Sequence, residues 1–445
     1  MKYYLLGLFG LALMVYACSS DELKNPLDGE LEKAILRASP TGQIDHFILP
    51  DPTDYSSIPQ EPNNPITEVK VQLGRMLFFE TGLGLDPVHE EMKGTYSCST
   101  CHIPEAGFMP GNAQGIADGG SGFGTNGAGR VKMFYYGDDE PDVQGARALS
   151  VLNVAFTPNT TWSGAFGAND NNVGTEDVWD APPVNINQLG LMGLESQAIE
   201  GFALHRMIIN AEVIDTLGYK PYFDAAFSEY PESERYTTLT GSFAISAYLR
   251  TLISNKAPFQ DYLKGQHDAL SEQEKRGGLL FFGKAGCYKC HNGKPLNNPD
   301  HFYAIGVKDL YECATAINTG VDAIRNFGRG GFTRKEEDMF KFKVPQLYNM
   351  KDTPFLFHGS SKHSLEEVVD YFDTAVPENS RVPASQIAAH FKPLGLTAEE
   401  KADLVAFLGN ALYDHDMYRF VPEQILSGNC FPNNDPLSQQ ELGCN

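Results

Sequence analysis

The sequence predicts a mainly α-helical chain with little β structure, folded as two similar modules in tandem. Three observations carry this. The pattern Cys-x-x-Cys-His occurs once in each half, as Cys98-Ser99-Thr100-Cys101-His102 and as Cys287-Tyr288-Lys289-Cys290-His291. Each copy follows a segment with apolar residues at helical spacing, and another such segment closes each half. Strand-like alternation of apolar and polar residues is scarce.

The motif spacing attaches c-type haem: two thiols add across the porphyrin vinyl groups, and the adjoining His ligates the iron. With 8 Cys and 11 His in 445 residues, chance supplies only about 0.004 copies. A pair of zinc or redox Cys-x-x-Cys motifs is the competing reading, and it leaves both His unexplained. Two cytochrome c-type domains are therefore expected, each with one covalently bound haem. Cys98, Cys101 and His102 hold the first, and Cys287, Cys290 and His291 the second.

Elements follow in order. Residues 1–17 read as a signal peptide, with Lys2 as the basic start and a short apolar run to Tyr16. Val15-Tyr16-Ala17-Cys18 resembles a bacterial lipoprotein box, so Cys18 is the expected lipidation site. The only membrane contact expected is that lipid, and the protein is placed outside the cytoplasm, in the periplasm or on the cell surface. Residues 18–65 start polar and end Pro-rich, and are read as a tether and an extended segment. Val69, Leu73, Met76 and Leu77 predict a helix over 67–80 before the first motif. Residues 110–130 hold eight glycines and predict a long loop. A helix around 241–255 closes the first domain (66–256), with Ala257-Pro258 at the boundary. In the second domain (257–425), Ser271-x-x-Glu274 and Thr397-x-x-Glu400 are capping boxes opening helices before and after the second motif. In the tail (426–445), Cys430 and Cys444 are candidates for a disulfide, which leaves Cys313 unpaired.

A net charge of −23 repels phosphate backbones, so nucleic acid is excluded as a partner. It favours a basic partner, such as a cationic electron-donor protein.

Further residues recur in a fixed order: Leu73-Gly74-Arg75-Met76-Leu77-Phe78-Phe79, Leu152-Asn153-Val154, Trp162-Ser163-Gly164, Leu194-Glu195-Ser196-Gln197, Phe357-His358-Gly359 and Ser364 to Val369. In this order the chain resembles the bacterial di-haem cytochrome c peroxidases and the related MauG-like maturation enzymes of methylamine dehydrogenase, over residues 66–420. The resemblance implies that the first haem reduces hydrogen peroxide. The second haem takes electrons from a small donor such as a c-type cytochrome or cupredoxin. The activity implied is that of a cytochrome-c peroxidase. Oxidation of a partner protein by a MauG-like enzyme is one alternative, and a non-enzymatic electron-transfer cytochrome is another. A homodimer is compatible with the resemblance.

The resemblance also assigns site residues. Many family peroxidases carry a displaceable His in the loop after the first motif, but no His lies between His102 and His205. The first haem is therefore expected to be open. Gln197 matches a family Gln over this haem, and where the family places a Glu this chain has His205-Arg206. His205, Arg206, Gln197 and Glu200 are accordingly the expected acid–base and charge groups, and Trp162 matches the Trp between the haems. The family's sixth ligand to the second iron aligns with Phe372, leaving Tyr371 or Met350 as alternatives. A calcium between the domains is held in the family by backbone carbonyls and an Asn. Thr353 and Phe355 fall at the carbonyl positions, but the Asn aligns with Arg147, so calcium is an open expectation.

Overall fold

The computed structural model describes residues 25–444; the leader and Cys18 lie outside the described residues. Among the described residues the chain is mainly helical, with two small antiparallel sheets. No described helix is long and apolar enough to cross a membrane.

Helix α1 (Pro26–Ala38) starts where the Asn25 side chain accepts the Leu27 N–H, with Pro26 at the first helical position. Leu31, Ala34, Ile35 and Ala38 form its buried face. The stretch expected to be only tether and extended chain thus contains a packed helix. Its i, i+3, i+4, i+7 pattern was present in the sequence beneath the polar surroundings.

Helix α2 (Glu68–Phe79) follows a Thr67 cap, close to the expected 67–80. Then come α3 (Gly193–Leu204), α4 (Ala211–Thr216), α5 (Lys220–Ala226) and α6 (Thr238–Arg250). Helix α6 lies a few residues earlier than expected because Thr237 and Thr240 form a capping box at its start. Helices α7 (Pro258–Leu263), α8 (Glu272–Phe281), α9 (Gly328–Thr333), α10 (Leu365–Thr374), α11 (Ala398–Ala406) and α12 (Pro436–Leu442) complete the set. Both capping boxes read from the sequence are formed, at Ser271/Glu274 and Thr397/Glu400. Strands β1 (Gly120–Ser121) and β2 (Val131–Lys132) pair within the glycine-rich loop, and β3 (Asn298–Tyr303) pairs with β4 (Phe342–Val344).

Two apolar cores correspond to the two halves. One gathers Leu73, Leu77, Phe78, Phe243 and Tyr248, and the other Leu31, Phe259, Phe281, Leu404 and Phe407. Each is built on a helix pair that crosses at a glycine. A Cβ on Gly74 of α2 would lie 1.9 Å from the Ala244 carbonyl oxygen of α6, and one on Gly277 of α8 would lie 2.0 Å from that of Asp403 in α11. Only glycine lets these backbones approach so closely. In both halves the helix before the motif ends in an aromatic beside the motif His: Phe78 near His102 and Phe281 near His291, with ring centroids 6.3 and 6.4 Å apart.

The tail is not loose. Cys430 and Cys444 form a disulfide, and Cys313 has no disulfide partner among the described residues. Arg130 in the first half forms a buried ion pair with Asp435 at 3.1 Å. The Pro432 carbonyl accepts hydrogen bonds from the Ser97 and Thr100 hydroxyls, behind the first motif.

Candidate haem and peroxide site

A cavity of about 900 Å³ runs between the halves and is bordered by both motifs. Each motif is a short turn, Cys98–Thr100 and Cys287–Lys289, with the His following directly. The His102 N–H of the backbone returns to the Cys98 carbonyl at 3.2 Å, and that of His291 to Cys287 at 2.9 Å. Thiols and imidazole are thereby presented together.

The donor set fits c-type haem on four counts. All four thiols are free, and burial pushes those of Cys98, Cys101 and Cys287 up to about 12 and that of Cys290 up to about 11, as apolar surroundings require. His102 Nδ1 lies 3.1 Å from the Phe108 carbonyl, and His291 Nδ1 lies 2.7 Å from that of Leu296. A carbonyl only accepts, so each Nδ1 carries the proton and Nε2 keeps the lone pair that an iron needs. Burial lowers the pKa of both rings to about 4, which keeps them neutral and able to ligate. Finally, the cavity wall carries Arg147, Arg325, Arg334, Lys343 and Lys392 against only two carboxylates, Asp142 and Asp180. Lys343 Nζ is buried without a hydrogen-bond partner among the described residues, and burial pushes its pKa down to about 7. A porphyrin carboxylate is the kind of partner it lacks.

Not all the expected catalytic residues meet here. Gln197, His205 and Trp162 border the cavity. His205 is the C-cap of α3, and its Nδ1 lies 2.9 Å from Asp142 Oδ2. The Asp142 carboxylate raises its pKa above the ordinary value, and the ring is close enough to His102 to disfavour that residue's protonation. Arg206 is directed elsewhere. It adopts a left-handed backbone (φ +54°) just past the helix end. Its guanidinium pairs with buried Asp118 and donates to the Glu140 carbonyl. Glu200 does not border the cavity, because α3 gives that face to Gln197, Ala198, Gly201 and Phe202.

Trp162 lies against Phe342 and His358, with centroids at 6.5 and 6.0 Å. Its indole N–H donates to the Arg147 carbonyl at 2.6 Å. His358 is buried and bonded to Asp309 at 3.0 Å. On the second side, Met350 borders the cavity and Tyr371 does not. The Tyr371 hydroxyl donates to the Ile305 carbonyl at 2.6 Å. Helix α10 stays in regular register, so Phe372 faces the cavity and its neighbour is turned about 100° away.

Calcium does not fit. The Arg147 guanidinium donates to the carbonyls of Pro110 and Asn112 and to the Thr353 hydroxyl. Thr353 in turn donates to the Phe355 carbonyl at 3.1 Å. A cationic side chain thus stands where the family's Asn would be, bonded to the Thr353 hydroxyl, and the Phe355 carbonyl already accepts that hydroxyl.

Four residues escaped the sequence reading. Asp142 lies in a loop far from His205 in sequence, and nothing local marks it. Lys343 interrupts the apolar pair Phe342 and Val344, which was a legible signal. His390 and Lys392 border the cavity on either side of Phe391, which lines it as well.

Comparison with known proteins agrees with this arrangement. The family model described as "Di-haem cytochrome c peroxidase" matches residues 68–268. The methylamine utilization protein MauG of Methylorubrum extorquens is 28% identical over 355 residues, covering 79% of this chain and 80% of that protein. Cytochrome-c peroxidase IdrP1 of Pseudomonas sp. strain SCT is 28% identical over 370 residues, covering 79% and 83%. A solved MauG-like protein associated with microbial copper homeostasis superposes with a TM-score of 0.58 at 25% identity, covering 87% of this chain and 98% of that one. A helical fold with paired Cys-x-x-Cys-His sites on one cavity defines the class, a di-haem oxidoreductase. Residues 68–268 of the chain thus resemble the di-haem cytochrome c peroxidase family, and the chain is similar both to its peroxidases and to the MauG proteins.

Proposed function

We propose that the protein is a di-haem peroxidase that reduces hydrogen peroxide to two waters, using two protons and two electrons from a small redox protein. The observation that carries this reading is the His205–Asp142 pair on the cavity wall that also presents His102. Bound haem at His102 supplies an iron that can take up peroxide and accept electrons. His205 holds a proton that can move between the two peroxide oxygens, so that one leaves as water. Asp142 fixes the ring through Nδ1 and favours its protonated form. Gln197 offers an amide to orient the bound oxidant. His291 and its two thiols hold the second haem, and Trp162 stands on the wall shared by both halves. Attachment of one haem per half, and a location outside the cytoplasm through a lipid on Cys18, belong to the same proposal.

Resting-state EPR with steady-state peroxide turnover tests it. A high-spin ferric signal and turnover with a reduced c-type cytochrome or cupredoxin are expected. His205→Ala should lose about 10²-fold in kcat/KM for peroxide. Two low-spin signals without turnover would leave only an electron carrier. A second reading, oxidation of a partner protein, is favoured by Trp162 on the cavity wall and by the likeness to MauG. Peroxide consumption without turnover of any reduced donor would decide for it.

A further inference from the structure

We propose that the guanidinium of Arg147 is the resident cation of the joint between the two halves, in place of a calcium ion, so that the protein neither binds nor needs calcium there. Arg147 is 2% exposed. Its guanidinium donates to the Pro110 carbonyl at 2.7 Å, to the Asn112 carbonyl and to the Thr353 hydroxyl. It also lies over the Phe355 ring at 5.9 Å. No carboxylate among the described residues forms an ion pair with it. A buried cation satisfied only by neutral oxygens is unusual for arginine, which ordinarily pairs with carboxylates. Neutral oxygens of this kind also serve calcium, but that ion requires six to eight of them at 2.3–2.6 Å. A planar fork of N–H donors uses the same acceptors at hydrogen-bond distance and excludes the ion.

The position gives the charge a use. Residues 110–112 follow the first motif, and residues 353–355 belong to the second half. The Arg147 backbone N–H donates to the His358 carbonyl at 2.8 Å, and its own carbonyl accepts the Trp162 indole N–H. One side chain thus joins both halves and places a fixed positive charge behind Trp162. Unlike a bound ion, it is not lost to a chelator or to dilution. As a positioning residue it holds the Trp162 environment and favours the reduced state of nearby redox groups.

The test uses the full haem-loaded protein. After exchange against EGTA, metal analysis should find no calcium retained, and calorimetry with Ca²⁺ should show no binding. EPR spectra and reduction potentials should be the same with and without Ca²⁺. One calcium retained per chain, or spectra that change on chelation, would overturn the proposal. These calcium measurements hold whether or not the peroxidase reading survives. Arg147→Asn removes the charge and frees the oxygens. Its reduction potentials should fall and recover with Ca²⁺ but not Mg²⁺, while wild-type potentials in that variant would refute the role of the charge. Arg147→Lys retains the charge and should keep near-wild-type potentials, whereas a fall equal to that of Arg147→Asn would refute it. The chelation measurements on the unaltered protein decide the matter if neither variant folds.

Discussion

Replacing Asp142 with Asn tests the proton-handling role of His205 without touching the imidazole. His205 Nδ1 and Asp142 Oδ2 are 2.9 Å apart. Among the charged groups that act on the ring, Asp142 raises its pKa, while Arg325 and, from farther off, Arg206 lower it. Two unit charges about 4 Å apart interact by about 4 kcal/mol at the effective dielectric of a protein surface. The His205 side chain is 40% exposed, so solvent screening reduces this interaction. Because Asp142 raises the pKa, His205 stays protonated to higher pH, and acid catalysis is lost as pH climbs through that raised value. Asn removes the charge, so the alkaline limb of kcat/KM for peroxide should move to lower pH. The amide oxygen still accepts the Nδ1–H, so ring orientation is retained. An alkaline limb that stays in place would refute the assignment of His205 as the proton donor.

Gly74→Ala and Gly277→Ala should each destabilise the fold by about 3 kcal/mol, since the new methyl meets backbone in the facing helix; denaturant titration of each variant checks this. Trp162→Phe leaves the buried Arg147 carbonyl without its indole donor and should cost about 1 kcal/mol. Stopped-flow reduction should also show slower electron transfer between the haems, and an unchanged rate would remove Trp162 from that path. Cys444→Ser opens a 14-residue link and should cost about 3 kcal/mol in the loop-entropy account, read as a lower thermal midpoint.

The parts of this molecule fixed by local spacing were legible in the sequence. The two motifs, the capped helices before and after them, and the pairing of Cys430 with Cys444 all lie within short stretches whose chemistry is self-contained. Parts set by long-range approach were not. His205 was found by position, but Asp142, which sets its charge, comes from another loop. Arg206 was expected beside it, yet α3 ends at Leu204 and the next backbone turn sends the guanidinium to Asp118. Tyr371 was an alternative ligand to the second iron, and its hydroxyl is instead bonded to the Ile305 carbonyl. At Arg147 the sequence raised the conflict with calcium. The resolution required the carbonyls of Pro110 and Asn112, which carry no side-chain signal.

The strap of residues 430–442 has a consequence for assembly. Its Pro432 carbonyl engages Ser97 and Thr100 across a sequence gap of more than 330 residues. During synthesis the first Cys-x-x-Cys-His turn therefore lacks its rear support long after its two thiols have emerged. Cys98 and Cys101 lack that cover throughout the interval. Closure waits for the strap, whose disulfide makes it sensitive to the oxidising state of the compartment.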